Sequence, residues 1–476
     1  MSTAVNRPSR ARAEAANRAL ADARPFPFWL DGADSPFAHE PLVGDERADL
    51  VVVGGGFSGL WTALIAKERD PGRDVVLLER ESCPSGASGR NGGMMLGAMV
   101  EYSYLPHYKG QEKQLVEIGR ENLRQIKLAL DRHEIDCDLE PNGWIIAGTK
   151  TWHLEELEEI NRICVGAGME STLWSEGELQ AEVHANGLLG GLCQPNEVAL
   201  VHPGKLAWGL KRACENVGVR FFEFTPGESF DQQPDGIRVD TPYGSVTAAN
   251  VALATFAHPS LVKGLRRWRL PVYAHSLATE PLTSEQIESI GWKGRQGIID
   301  LDPFFYYYRL TGDDRIIWGI LDGTPHRTMN PEFDQDLPLF STMALDFVDR
   351  FPQLEGLRFT HRWGGLIDNT SDAAPFFGTA AKGRVAYCLG FSTGVGATRT
   401  GAEIMLDLLD GRRTPLTELP LAGDGPLRRR PILRPYPPEP ILTISQRFVH
   451  KLLAKEAETG RRHWIAKALN RLGYVF

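Results

Sequence analysis

Three glycine clusters carry the most chemical information in this chain. In the first, Gly54-Gly55-Gly56-Phe57-Ser58-Gly59, Gly54, Gly56 and Gly59 have GxGxxG spacing. Gly54 suits a tight turn, Gly56 admits a pyrophosphate close to the backbone, and Gly59 lets a helix pack on a strand. A helix opening there points its positive end at phosphate charge. Glu79 stands about twenty residues on, where a carboxylate can accept both ribose hydroxyls of an adenosine and repel a 2′-phosphate. The second cluster, Ser85-Gly86-Ala87-Ser88-Gly89-Arg90-Asn91-Gly92-Gly93, follows directly. Its small residues allow close backbone contact with a flat ligand and offer amides to its oxygens. The apolar MMLGAMV after it argues for a buried loop rather than a flexible one. The third cluster spans Gly390–Gly396.

The elements around these clusters have matching character. ADLVVV reads as an apolar strand, LWTALIAKERD as a helix and DVVLLER as a second strand, which together make a βαβ unit. Further helices are predicted over 112–135, 153–168, 204–218 and 334–351, and strands crowd residues 270–330. RVAYCLGFSTGVGATRTGAEIMLDLLDG repeats strand, glycine turn and helix. The strand-rich middle lies between two dinucleotide-type segments. The expected fold is therefore α/β, a Rossmann-like binding domain with an inserted substrate domain on a mixed or antiparallel sheet. The expected division is a leader at 1–48, a discontinuous dinucleotide-binding domain from 49–100, 190–260 and 360–411, a substrate domain from 101–189 and 261–359, and a Pro-rich, helical tail at 412–476.

Length and charge narrow the function. A chain of 476 residues can bury a large core unaided. A net charge of −9 argues against a nucleic-acid binder. The six cysteines form no CxxC pair, as expected of reduced thiols in the cytoplasm, and a zinc site is not expected. No secretory signal and no membrane-spanning stretch are read.

The stretch VVVGGGFSGLWTALIAKERDPGRDVVLLERESCPSGASGRNGG resembles the N-terminus of FAD-dependent oxidoreductases of the D-amino-acid oxidase and sarcosine oxidase type. The GASGRNGG wording is similar to the branch that contains gamma-glutamylputrescine oxidoreductase. ATEPL at 278–282, FFYYYRLTGDDRIIWG at 304–319, GLIDNTSDAAPFFG and CLGFSTGVGATRTGAE agree, so the resemblance spans roughly residues 45–410. It implies FAD contacts from Gly54, Gly56, Phe57, Ser58, Gly59, Glu79 and Arg80, and from Ala87, Ser88, Arg90, Asn91, Gly92, Gly93 and Met94. It also implies them from Gly390, Phe391, Ser392, Gly394, Val395, Gly396, Ala397 and Thr398. A helix end at this last turn favours a reduced, anionic flavin.

The chain departs from that family in three places. Gly365 stands where a cysteine tethers the flavin in monomeric sarcosine oxidase, so the FAD is expected to be non-covalent. Ile317 stands where that enzyme has a lysine that assists oxygen. The basic residues that bind a substrate carboxylate give way to Met94, Met95, Leu96 and Ala397. A simple α-amino acid is thus less expected than an amine whose anionic group lies farther off.

The resemblance implies oxidation of a primary or secondary amine by hydride transfer to flavin N5. The resulting imine is hydrolysed to an aldehyde or ketone plus amine or ammonia. O2, forming hydrogen peroxide, or another acceptor reoxidises the flavin, with an oxidase preferred. The alternatives are a nicotinamide-linked flavin reductase and a non-catalytic flavoprotein or membrane adaptor acting through the tail. On FFYYYRL, Phe304, Tyr306 and Tyr308 share one face and Phe305, Tyr307 and Arg309 the other. Tyr306 is the candidate pocket tyrosine, with core packing as its alternative. Arg309 binds an anionic substrate group or pairs with an acid such as Asp313. His275, Trp363 and Arg399 complete the candidate catalytic set; each has a structural reading beside it, as a hydrogen-bonded histidine, a core tryptophan and a solvent-facing arginine. In the tail, Arg428-Arg429-Arg430 precede two short helices. Trp464, Ala468 and Leu472 form a stripe for the body, a partner or an anionic membrane, and the overall charge favours the body. The oligomeric state is left open.

Overall fold

Leu50, Val51, Val52 and Val53 are all buried, the signature of a parallel strand covered on both faces. In the computed structural model, which describes residues 10–32, 35–258, 260–321, 331–423, 434–472 and 474, this strand is Gly44–Val53. It pairs in parallel with Val75–Leu78 on one side and Gly244–Leu253 on the other. Arg220–Phe222 and Val385–Leu389 extend the parallel run outward. Antiparallel strands Phe376–Ala380, Gly236–Thr241 and Ser229–Gln233 and a short Ala422–Gly423 complete a nine-stranded sheet. Helices Phe57–Arg69, Pro203–Asn216 and Gly394–Leu409 pack together over one face and bury their apolar sides in the largest core.

An eight-stranded mixed sheet lies beside the first. Its order is Phe359–Asn369, Leu270–Thr279, Ile316–Leu321, Phe305–Leu310, Gly297–Asp300, Trp144–Gly148, Gly190–Gln194 and Thr172–Ser175. All its pairings are antiparallel except Gly297–Asp300 with Trp144–Gly148. Residues 190–194 and 360–369, read from the sequence as parts of the cofactor-binding segments, pair within this second sheet. The helix Leu337–Arg350 covers it through Phe340, Met343 and Phe347.

Helices towards both ends of the chain pack on this body. Helix Arg10–Leu20 packs on Leu337–Arg350, where Arg12 pairs with Asp349 at 2.6 Å. Helices Ile441–Thr459 and Trp464–Arg471 bury Val449, Leu453 and Ala466. The Trp464–Leu472 stripe turns outward instead, with Trp464 71% exposed, while Leu469 on another face lines an internal cavity. Arg428, Arg429 and Arg430 lie outside the described residues. Among the described residues no helix is long and apolar enough to cross a membrane. All six cysteines are free and buried.

Candidate active site

A cavity of about 950 Å3 runs from the first glycine turn, between the two sheets, to the tail helices. Its construction starts at Gly54, whose φ is +111° and whose Cβ, if present, would sit 2.5 Å from the Ala254 carbonyl oxygen. A Cβ on Gly59 would fall 1.8 Å from the Gly54 carbonyl oxygen, so strand and helix meet at backbone distance. Helix Phe57–Arg69 has no side-chain cap at Gly56, which leaves the amide-rich end facing the cavity. Ser88 Oγ accepts the Phe57 N–H at 2.9 Å and joins the first cluster to the second. Glu79 accepts the N–H groups of Gly55 at 2.6 Å and Glu81 at 3.0 Å. Burial pushes its carboxyl up and these amides oppose that.

The second cluster is held from several sides. Asn91 staples its own loop, donating to the carbonyls of Ala87 at 3.2 Å and Ser88 at 2.9 Å and accepting from Gly93 N–H at 2.9 Å. Arg90 donates to the carbonyls of Ser85 at 2.9 Å and Gly364 at 3.0 Å and to Asp334 at 2.6 Å. Trp363 donates its indole N–H to the Arg90 carbonyl at 2.9 Å, and Trp29 donates to that of Asn91 at 2.7 Å. Arg309 is 1% exposed and donates to the carbonyls of Gly93 at 3.0 Å and Val201 at 2.8 Å. Burial brings its guanidinium down to about 10, opposed by Glu140. It is a cation at neutral pH that clamps the loop.

At the third turn, Asp368 accepts the Gly390 N–H at 2.8 Å. Burial raises this carboxyl to about 6 against the nearby Arg269. Asn122 donates to the carbonyls of Gly97 at 3.0 Å and Gly396 at 2.9 Å. Helix Gly394–Leu409 also starts without a side-chain cap. These three turns form a backbone-lined cradle for a ligand with phosphates and a flat ring.

Gly54, Gly56, Phe57, Ser58, Glu79, Arg80, Ala87, Ser88, Arg90, Asn91, Gly92 and Met94 line the cavity, as do Phe391, Ser392, Gly394, Val395 and Thr398. Gly59, Gly93, Gly390, Gly396 and Ala397 stand behind the wall, where Gly396 touches the backbone of Leu96. The five candidate catalytic side chains are not brought to the wall. Tyr306 points to the opposite face, stacked on Trp318 at 4.4 Å and donating to Asp346. Its neighbour Tyr307 faces the cavity instead, its hydroxyl 3.1 Å from Ser276 Oγ and its ring over Gly92 and Gly319. His275 is buried with Nε2 on the Phe333 carbonyl at 2.8 Å. Arg399 is buried rather than solvent-facing, paired with Glu403 at 3.2 Å and lying over Trp61. Arg309 and Trp363 act one layer back, on loop carbonyls.

Sequence reasoning missed Glu101, Tyr104, Trp144 and the tail side chains Gln446, Val449 and His450, all on the wall. No local motif marks them, and only the tail's helical periodicity gave a hint.

The sequence model of one family, described as DAO, FAD dependent oxidoreductase, matches residues 49–408. The chain belongs to this family. It is therefore an FAD-dependent oxidoreductase, and the cradle has the features that such a cofactor would need: amide-rich helix ends, a carboxylate at Glu79 and closely approaching glycine backbone. A probable oxidoreductase, OrdL, of Haemophilus influenzae is 28% identical over 396 residues, covering 81% of this chain and 88% of its own. Gamma-glutamylputrescine oxidoreductase of Escherichia coli is 29% identical over 394 residues, with the same coverages. The fold is similar to that of glycine oxidase from Geobacillus kaustophilus, with a TM-score of 0.65 and 20% identity over 79% of this chain and 98% of that one. The family match ends before the tail helices, so this oxidoreductase closes its cavity with chain outside the matched residues.

Arg309 gives a first test of the cradle. Arg309→Met orphans two buried carbonyls at about 1–3 kcal/mol each. The expected result is a lower midpoint in urea and weaker retention of the yellow cofactor on dilution. An unchanged midpoint would show that the clamp carries nothing.

Proposed function

We propose that the enzyme oxidises the C–N bond of a primary or secondary amine, giving an imine that water hydrolyses to an aldehyde or ketone plus amine or ammonia. The observation that carries this reading is one continuous cavity, with the dinucleotide cradle at one end and an aromatic, largely apolar wall at the other. Relatives named gamma-glutamylputrescine oxidoreductase and sarcosine oxidase subunit beta support it. FAD, when bound, supplies the two-electron acceptor for the amine α C–H bond. The chain positions and desolvates: Tyr307, whose ring lies over Gly92 of the second cluster, lowers the ammonium pKa of the reacting nitrogen by excluding water, so no dedicated base is needed.

On this reading the lining residues of the three glycine clusters hold the cofactor without a covalent link. Gly365 stands where monomeric sarcosine oxidase has its tethering cysteine, and no cysteine lines the cavity among the described residues. The first sheet with its helices forms the FAD domain and the second sheet the substrate domain. O2 is the acceptor, with hydrogen peroxide formed, although Ile317 is buried against Trp29, Ala278 and Trp363 and offers no charge. The buried free cysteines support a reducing, cytoplasmic setting.

Purified protein is expected to be yellow, and anaerobic mixing with amines should bleach its band near about 450 nm. Rapid bleaching by NADH with none by any amine would overturn the reading. Peroxide released in proportion to amine consumed marks an oxidase; turnover only with an artificial acceptor marks a dehydrogenase.

A further inference from the structure

The charges on the cavity wall specify what the far end of the amine carries. Glu79, Arg80, Glu81 and Glu228 flank strands of the first sheet, on the side of the glycine cradle. Arg90 and Asp334 neutralise each other at 2.6 Å. Glu101 is the remaining carboxylate of the wall, and among the described residues no ion pair within 4.0 Å engages it. Its side chain bonds that of Ser392, which opens the third glycine turn, and Tyr104 lies close by in the same short helix.

This wall suits a cation and not an anion. Trp144, Phe304 and Phe305 line it, and aromatic faces attract positive charge. Among the described residues no lysine lines the cavity. Of its two arginines, Arg80 lies at the cradle and Arg90 is already paired. A substrate carboxylate therefore finds no unpaired lysine or arginine at that end, whereas an ammonium finds Glu101. An unpaired carboxylate in such a place is costly. Burial pushes the Glu101 carboxyl up to about 7 against the Ser392 hydroxyl, and a bound cation would favour its ionised form.

We infer that Glu101 holds a positively charged group remote from the reacting nitrogen, so that the substrate class is an amine carrying a second cationic nitrogen, as in an α,ω-diamine. The inference rests on the amine-oxidation reading for its reacting end. It also replaces the anionic far end expected from the sequence with a cationic one.

The test is calorimetric titration of the flavin-loaded, full-length protein with 1,4-diaminobutane, butylamine and 4-aminobutanoate at pH 8, beside anaerobic bleaching by each. The diamine should bind about tenfold to a hundredfold tighter than butylamine, with 4-aminobutanoate weakest. Glu101→Gln should collapse the diamine-to-butylamine ratio towards one, and Glu101→Asp should keep most of it. Equal binding of diamine and butylamine by the unmodified protein, or an undiminished ratio in Glu101→Gln, overturns the inference. The unmodified protein alone decides the first point, so a misfolded variant does not shelter the idea. A diamine preference without bleaching by any amine removes the oxidation reading and leaves the cation site. Bleaching by butylamine with no diamine preference does the reverse.

Discussion

Lys211→Met is expected to destabilise the protein by about 3–5 kcal/mol, the usual cost of breaking a buried ion pair from one side. Lys211 and Glu223 are 1% and 0% exposed and lie 2.7 Å apart. Lys211 also donates to the Phe37 carbonyl at 3.0 Å. Glu223 further accepts the N–H groups of Cys83 at 2.6 Å and His39 at 2.5 Å. Burial pushes the Glu223 carboxyl up; those two amides and the Lys211 ammonium more than offset it, and the group ends below its ordinary value. A depressed carboxyl stabilises the fold above its unfolded pKa, and the contribution fades as pH falls through the depressed folded value. Without Lys211 the folded carboxyl rises, so the cost of the substitution should be largest at pH 7 and shrink on acidification, as a proton neutralises the stranded Glu223. Urea unfolding at pH 7 and at about pH 4.5 measures both effects. The lesion should also reach the cofactor, because two residues after Glu223 the Thr225 N–H donates to the Glu79 carbonyl at 2.7 Å. A loss below about 1 kcal/mol at pH 7 would mean the pair is no better than a surface bridge.

What the sequence revealed divides along the range of the interactions. The GxGxxG turn and its βαβ unit depend on neighbours within thirty or so residues, and the structure places strand, turn, helix and strand where the pattern puts them. The alternation of FFYYYRL separated two faces correctly, yet periodicity does not say which face meets the cavity. That choice is made by Asp346 and Trp318, which take Tyr306, and by Gly92 and Gly319, which make room for Tyr307. Arg309 and Trp363 were legible as notable residues but not as loop clamps, since their partners lie 216 and 273 residues away. Strands 190–194 and 359–369 join the second sheet through pairings no local pattern encodes. Glu101 follows an apolar run without a motif, and its meaning comes only from the aromatic wall and the tail that surround it.

Removing residues 441–476 is expected to raise the KM for the amine by about tenfold or more and to expose the flavin to solvent, because the tail supplies one wall of the cavity. Val449 and Leu453 are buried, and His450 stacks on Phe304 at 4.5 Å. Gly460, at φ +66°, ends the longer tail helix with no room for a Cβ, which would meet the Trp152 ring at 2.5 Å. This close approach fixes where the chain turns back over the body. Loss of the wall admits water to the site, which weakens the desolvation that keeps an amine neutral and dilutes every electrostatic contact within. The cradle itself draws on none of these side chains, so the truncated protein should remain yellow. A finer version keeps the chain whole: Leu453→Ala removes buried apolar contact worth about 2–5 kcal/mol and should partly undock the helix. Iodide quenching of flavin fluorescence should rise in both variants, more in the truncation, together with KM. Unchanged quenching and unchanged KM after truncation would mean that the tail rests on the enzyme without closing it. A colourless truncated protein would instead make the tail part of the cofactor site.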